Sequence, residues 1–161
     1  MEVLNPNAET GCCKRFNPEP WQDKEIQFKD RLFLKDSTFS LFGIPLGFGK
    51  LMVRNMEIVK NAGAIVEAPL MLSDCSSPWR TDVYIEISKE IPGQNMQRIT
   101  GNFLTKVFEG SYSNIGKWIK EMKSHVQSKG KGMKKLYLFY TTCPSCARAY
   151  GMNYTVIFAE I

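Results

Sequence analysis

Cys143 and Cys146 enclose a proline and a serine, while Cys12 and Cys13 lie side by side near the amino end. A CxxC spacing lets two thiolates reach one ion, and a second pair completes the tetrahedron that zinc prefers. Cys12, Cys13, Cys143 and Cys146 are therefore the candidate metal ligands, with zinc the candidate cofactor. An adjacent pair is an unusual half of such a site, because neighbouring side chains in extended chain point opposite ways. A redox dithiol is the second reading. It wants its first thiol at a helix amino end, and no helix-length apolar pattern follows Cys143. A thiol-bearing loop without chemistry is the third. Cys75 reads as a lone structural thiol, and a reducing cytosol would keep all five cysteines unpaired.

Other reactive types are sparse. His125 is the single histidine and falls inside a helical pattern, which argues against a serine–histidine or cysteine–histidine pair. The stretch GFGK at 47–50 lacks the spacing of a phosphate loop. Glu109 stands at a strand end, where it would reach a groove or sit on its rim. The chain has 161 residues, 43% of them apolar and 23% charged, which excludes wholesale disorder. Its 21 basic and 16 acidic residues give a net charge of +5, too mild to demand an anionic partner. The basic cluster at 129–135 has no interleaved aromatics, so it reads as a solvated loop and no nucleic-acid partner is expected. No apolar run approaches the roughly 20 residues of a membrane span, and the amino end carries no secretory pattern, so a cytoplasmic protein is expected.

The elements that would position these residues appear twice. An offset of 67 places Thr38 on Thr105, Gly43 on Gly110, Gly49 and Lys50 on Gly116 and Lys117, Val59 on Val126, and Gly63 on Gly130. Near the carboxyl ends the offset becomes 74, matching Thr81, Glu86 and Ile87 with Thr155, Glu160 and Ile161, which puts a local insertion at 143–151. Each copy reads as strand, helix, strand, strand. Met52, Met56 and Val59 mark the first helix. Ile115, Trp118, Ile119, Met122 and Val126 mark the second, with Ser113 or Asn114 to cap it and Gly130 to end it. The expected fold is α+β: a duplicated strand–helix–strand–strand unit, with an antiparallel sheet, two helices on one face and a ligand groove on the other. Residues 1–30 are expected to be an arm, and 31–161 the domain, with copy one at 31–92 and copy two at 96–161.

A doubled unit of this kind, with Gly110, Ser111 and Tyr112 in place of a Gly-Pro-Tyr turn, resembles the GyrI-like small-molecule-binding family. Arg80, Thr81 and Asp82 look like that family's Arg-Tyr-Asp strand start, with the tyrosine replaced. The resemblance implies a stand-alone binding protein for apolar, aromatic or cationic compounds, one that would sequester toxins. Some relatives hydrolyse strained rings. The glutamate that such relatives carry at the start of the last strand falls on Val156, so base-assisted water attack does not transfer by resemblance.

Strand alternation separates Val83, Ile85 and Ile87 from Asp82, Tyr84 and Glu86, and Ile157, Ala159 and Ile161 from Val156, Phe158 and Glu160. The expected ligand wall is Trp79, Tyr84, Tyr112, Tyr140 and Phe158, with Glu160 as an orienting carboxylate. In the hydrolase alternative Glu86 or Asp82 is the general base, with Tyr112 or Tyr84 polarising the substrate. The expected partner is a small hydrophobic or cationic molecule, taken up by a monomer or a homodimer.

Overall fold

A computed structural model describes residues 7–161, so the first six residues of the expected arm lie outside the described part. Among the described residues the architecture is α+β, with antiparallel strand pairs and three helices. The chain divides into two compact units. A middle unit holds Gln27–Asn102 and Leu136–Leu138; a terminal unit holds the chain up to Ile26, Phe103–Lys135 and Phe139–Ile161. No helix among the described residues is long and apolar enough to cross a membrane.

The middle unit is organised by β1 (Lys24–Leu41) from Gln27 on, a strand that begins well before residue 31 because Ile26 and Phe28 already alternate with polar neighbours. It turns through Phe42 and Gly43 into the two-residue β2 (Ile44–Pro45) and then α1 (Phe48–Asn61). Strands β3 (Met71–Asp74) and β4 (Arg80–Glu86) follow. Antiparallel pairing runs from Phe33 opposite Glu86 to Phe39 opposite Arg80, and from Met71 opposite Ile85 to Asp74 opposite Asp82. As strand alternation requires, Val83, Ile85 and Ile87 form one core with Leu34 and with Leu51 and Val59 of α1. Each such side chain contributes roughly 1.5–3 kcal/mol when fully removed from water. The other face carries Tyr84, edge-on to Phe33 and Tyr137 at centroid distances of 6.5 and 5.6 Å.

The buried stripe of α1 is Leu51, Asn55 and Val59, with Met52 and Met56 flanking it rather than central. A buried amide in that stripe needs partners. Asn55 Nδ2 donates to Asp36 Oδ2 at 2.7 Å and to the Leu51 carbonyl at 2.8 Å. Asp36 also accepts from Arg54 and from the Ser37 amide.

In the terminal unit the second half of β5 (Met96–Glu109) pairs with β7 (Tyr154–Glu160), from Phe103 opposite Glu160 to Glu109 opposite Tyr154. Bonds from the Lys134 amide to the Glu160 carbonyl (2.8 Å) and from the Thr141 amide to the Tyr154 carbonyl (3.4 Å) tie the chain on either side of β6 (Lys135–Tyr140) to β7. Helix α2 (Ile115–Ser128) buries Trp118, Met122 and Val126, and Trp118 stacks on Phe108 at 5.6 Å. Neither Ser113 nor Asn114 caps it by side chain. A 3-10 turn at Tyr112–Asn114 precedes it instead, and Ser111 accepts from the Ser113 amide. Gly110 enters this turn at φ 133, where a Cβ would meet Asn114 and Trp118 at 3.5 and 3.6 Å. Gly130 ends the helix in the left-handed region, as expected.

The expected two helices become three. The insertion folds as α3 (Pro144–Tyr150), opened by Cys143 and closed by Gly151 at φ 68. Too short for an apolar period, α3 is marked instead by its punctuation: proline at the first position and glycine just past the end.

Asp36 generates a stability prediction. Burial would raise its carboxyl pKa, but hydrogen bonds from Asn55, Arg54 and the Ser37 amide, with the arginine charge, outweigh burial and hold it below its ordinary value. A depressed carboxyl contributes stability at neutral pH that is lost as pH falls through the folded value. Asp36→Ala should cost about 1–3 kcal/mol in urea unfolding, since Asn55 loses a buried partner. Asp36→Asn should flatten the acid limb of the stability curve.

Candidate metal centre

Cys143 caps α3 and Cys146 lies three residues on, so both side chains fall on one face of a single helical turn. The other pair comes from the segment before Phe16. There the chain does not extend past its cysteines: the Gly11 amide bonds back to the Ala8 carbonyl at 2.9 Å, Gly11 sits at φ 71, and the bend continues through Cys12. That bend removes the objection that adjacent side chains diverge. Cys12 and Cys13 bring their Sγ atoms to 3.6 Å, and Cys12 reaches Cys143 Sγ at 3.9 Å. All four Sγ atoms lie within 4.8 Å of one another, so the group could hold a metal ion. A tetrahedron built on zinc–sulfur bonds of about 2.3 Å has edges of about 3.8 Å, which these separations approach.

Neighbouring groups fix the cluster. The Cys143 amide donates to Cys13 Sγ at 3.4 Å, and the Thr10 hydroxyl lies 3.1 Å from Cys146 Sγ. Tyr150, the last residue of α3, donates to the Cys13 carbonyl, and Arg15 stacks over its ring at 4.6 Å. Amides and hydroxyls aimed at sulfur orient metal-bound thiolates.

Acidity divides the thiols. Burial pushes Cys12 up to about 11 against the bond from Cys13, and pushes Cys13 higher still. Burial also opposes ionisation of Cys146, but Thr10, the Cys13 amide and the neighbouring thiols together bring it down to about 7. Only 2% of Cys146 is exposed. The acidified thiol is thus the enclosed second cysteine of the CxxC, whereas a redox dithiol presents a reactive first one. The CxxC does open a helix, contrary to the expectation from its apolar pattern. Cys75 belongs to the middle unit, where Thr81 Oγ1 approaches its sulfur at 3.9 Å.

The expected groove residues divide between the units. In the middle unit Asp82 meets Arg80 Nε at 2.6 Å and Lys35 Nζ at 3.4 Å. Glu86 accepts from Arg31 Nε at 2.9 Å, Arg31 Nη2 at 2.6 Å and the Leu70 amide at 3.0 Å. Tyr84 is 1% exposed, enclosed by aromatic rings, and Trp79 is open to solvent beside Phe42. In the terminal unit Phe158 is fully buried among Trp21, Phe103 and Phe139. Val156 is buried as well. Glu160, half-buried, ends β7. His125 lies on α2, with Nε2 3.7 Å from Asp23 Oδ1.

Tyr112 and Tyr140 are brought together, edge to face at 5.3 Å. Tyr112 donates to the Thr142 carbonyl at 3.3 Å, and burial raises its phenol pKa, so it keeps its proton. Tyr112 also lines a cavity of about 390 Å³ with Glu109, Pro144, Arg148 and Asn153. Helix α3 therefore has two working faces: Cys146 turns to the sulfur cluster, while Pro144, Ala147 and Arg148 turn to the cavity. Arg148 and Asn153 escaped the sequence reading because their placement depends on a helix that reading did not expect. Thr10 and Tyr150 were legible only as neighbours of cysteines.

A family model described as bacterial hydrolase matches residues 4–161. No curated protein matches the chain.

The purified protein should contain close to one equivalent of zinc per chain by elemental analysis. Cys143→Ser or Cys12→Ser should abolish retention, and chelation should lower the thermal midpoint and expose the segment before Phe16 to proteolysis. Metal-free protein with an unchanged midpoint would contradict the assignment.

Proposed function

This chain belongs to the bacterial hydrolase family, and from that membership we propose that it hydrolyses small molecules in the cavity beside Tyr112, with a tetrathiolate zinc ion holding the site's shape. The family match across nearly the whole chain carries the reading. Four sulfur ligands close the coordination sphere, leaving no position for a metal-bound water, so zinc would act as a brace. It would join the bend at Cys12 and Cys13 to α3 and so set Pro144 and Arg148 against the cavity.

The chemistry falls to the cavity side chains. Asp82 and Glu86 are committed to Arg80, Lys35 and Arg31, which leaves Glu109 as the exposed carboxylate beside Tyr112. Glu109 takes a proton from a water molecule whose oxygen attacks the electrophilic carbon of the substrate. Tyr112, held as a phenol, would turn its one hydroxyl proton from the Thr142 carbonyl to the substrate oxygen that gains charge. The bond to the leaving group breaks, and the proton on Glu109 passes to that group. Arg148 would hold an anionic end of the substrate. The cavity lies within the range of small-molecule sites.

A second reading is binding without turnover, as the resemblance to the GyrI-like family implies. The Tyr112–Tyr140 pair favours it, because paired rings suit a flat apolar or cationic guest.

A panel of p-nitrophenyl acyl esters and activated lactones separates the two. Wild-type protein should turn over at least one of them. Glu109→Gln should lower kcat by roughly 10²–10⁴-fold, and Tyr112→Phe by less. Saturable binding with no product would select the binding protein, and unchanged rates in both variants would remove this cavity from the mechanism.

A further inference from the structure

The hairpin of β1 and β2 in the middle unit is built against the usual economy of a turn. Its two central residues, Phe42 and Gly43, have φ 50 and 82, the left-handed pair of a type I′ turn. Asparagine or glycine normally fills the first position, because a Cβ is strained there. Phenylalanine stands here instead, 78% exposed, with its ring 5.6 Å from that of Trp79. A strained backbone position given to a large exposed ring points to use of that ring.

Its surroundings are apolar as well. Leu41 pairs with Ile44, which is 67% exposed, and the Leu46 amide donates to the Phe39 carbonyl at 2.9 Å. Phe39, Leu41, Leu46 and Trp79 are all exposed. On the basis of 150–250 Å² per aromatic ring and less per aliphatic chain, these residues leave roughly 600–700 Å² open. That exceeds the patch a typical monomer tolerates without function and approaches the roughly 800 Å² that each partner contributes to a standard interface.

We propose that this hairpin is the contact surface of a homodimer, in which two copies lay their hairpins together about a twofold axis. An isologous contact needs a self-complementary patch, and an apolar one satisfies that condition. Arg80, next to Trp79 in the chain, is paired to Asp82, and Arg54 to Asp36, which softens like-charge repulsion between two copies.

Sedimentation equilibrium of the full chain tests this. At about 100 µM the wild type should weigh twice 18.4 kDa and dissociate on dilution. Phe42→Asn should weaken association by at least roughly 30-fold, as loss of an aromatic hot spot does. It should also raise the thermal midpoint of dilute protein, because asparagine relaxes the turn. Ile44→Lys should weaken association without relieving the turn. A wild type of 18.4 kDa at every concentration, unchanged association in both variants, or a monomer that floats with phosphatidylserine vesicles would overturn the proposal.

Discussion

Four thiols brought within a few ångströms of one another are costly unless something positive sits among them. As neutral groups they forgo water for weak mutual hydrogen bonds, and as thiolates they repel. The sulfur atoms of Cys12, Cys13, Cys143 and Cys146 nevertheless converge within 4.8 Å, one of them almost wholly enclosed. Burial drives Cys12 and Cys13 away from ionisation while local donors draw Cys146 towards it. A divalent cation would resolve that conflict, because coordination deprotonates a thiol outright and replaces repulsion with four bonds.

The placement of α3 and of the segment bearing Cys12 and Cys13 depends on this convergence. Helix α3 has seven residues, too few to be stable alone, and its sulfur-bearing face fixes how its other face meets the cavity. Tyr150 and Thr10 reinforce the join through hydrogen bonds that need no ion. Phe16 and Trp21 then pack on Phe139, Tyr154 and Phe158, so the segment before β1 is held by rings along its length. In the proposed hydrolase such a brace would steady Glu109 and Tyr112, which lie on a strand end and a short turn with little rigidity of their own.

The sequence disclosed its periodic elements and concealed its punctuated ones. Val83, Ile85 and Ile87 pack on α1 because a two-residue period is readable, and Trp118, Met122 and Val126 line α2 because a helical period is. The four cysteines that converge were readable as candidate ligands from residue type and spacing. Helix α3 was not, since seven residues cannot show a period, and the bend at Gly11 was not, since one glycine says little about direction. Arg148 and Asn153 were lost with α3. Asp82 and Glu86 drew attention as carboxylates on a strand, but the arginines that occupy them come from positions that only the folded register brings alongside. Tyr84 and Phe158 read as an aromatic wall and prove to be buried packing, a distinction that strand alternation alone does not make.

X-ray absorption at the zinc edge of the protein as isolated bears most directly on the tetrathiolate brace. A single shell of four sulfur atoms at about 2.3 Å, with no oxygen or nitrogen neighbour, is the predicted result. A shell containing oxygen or nitrogen, or protein that carries four free thiols and no metal, would contradict it.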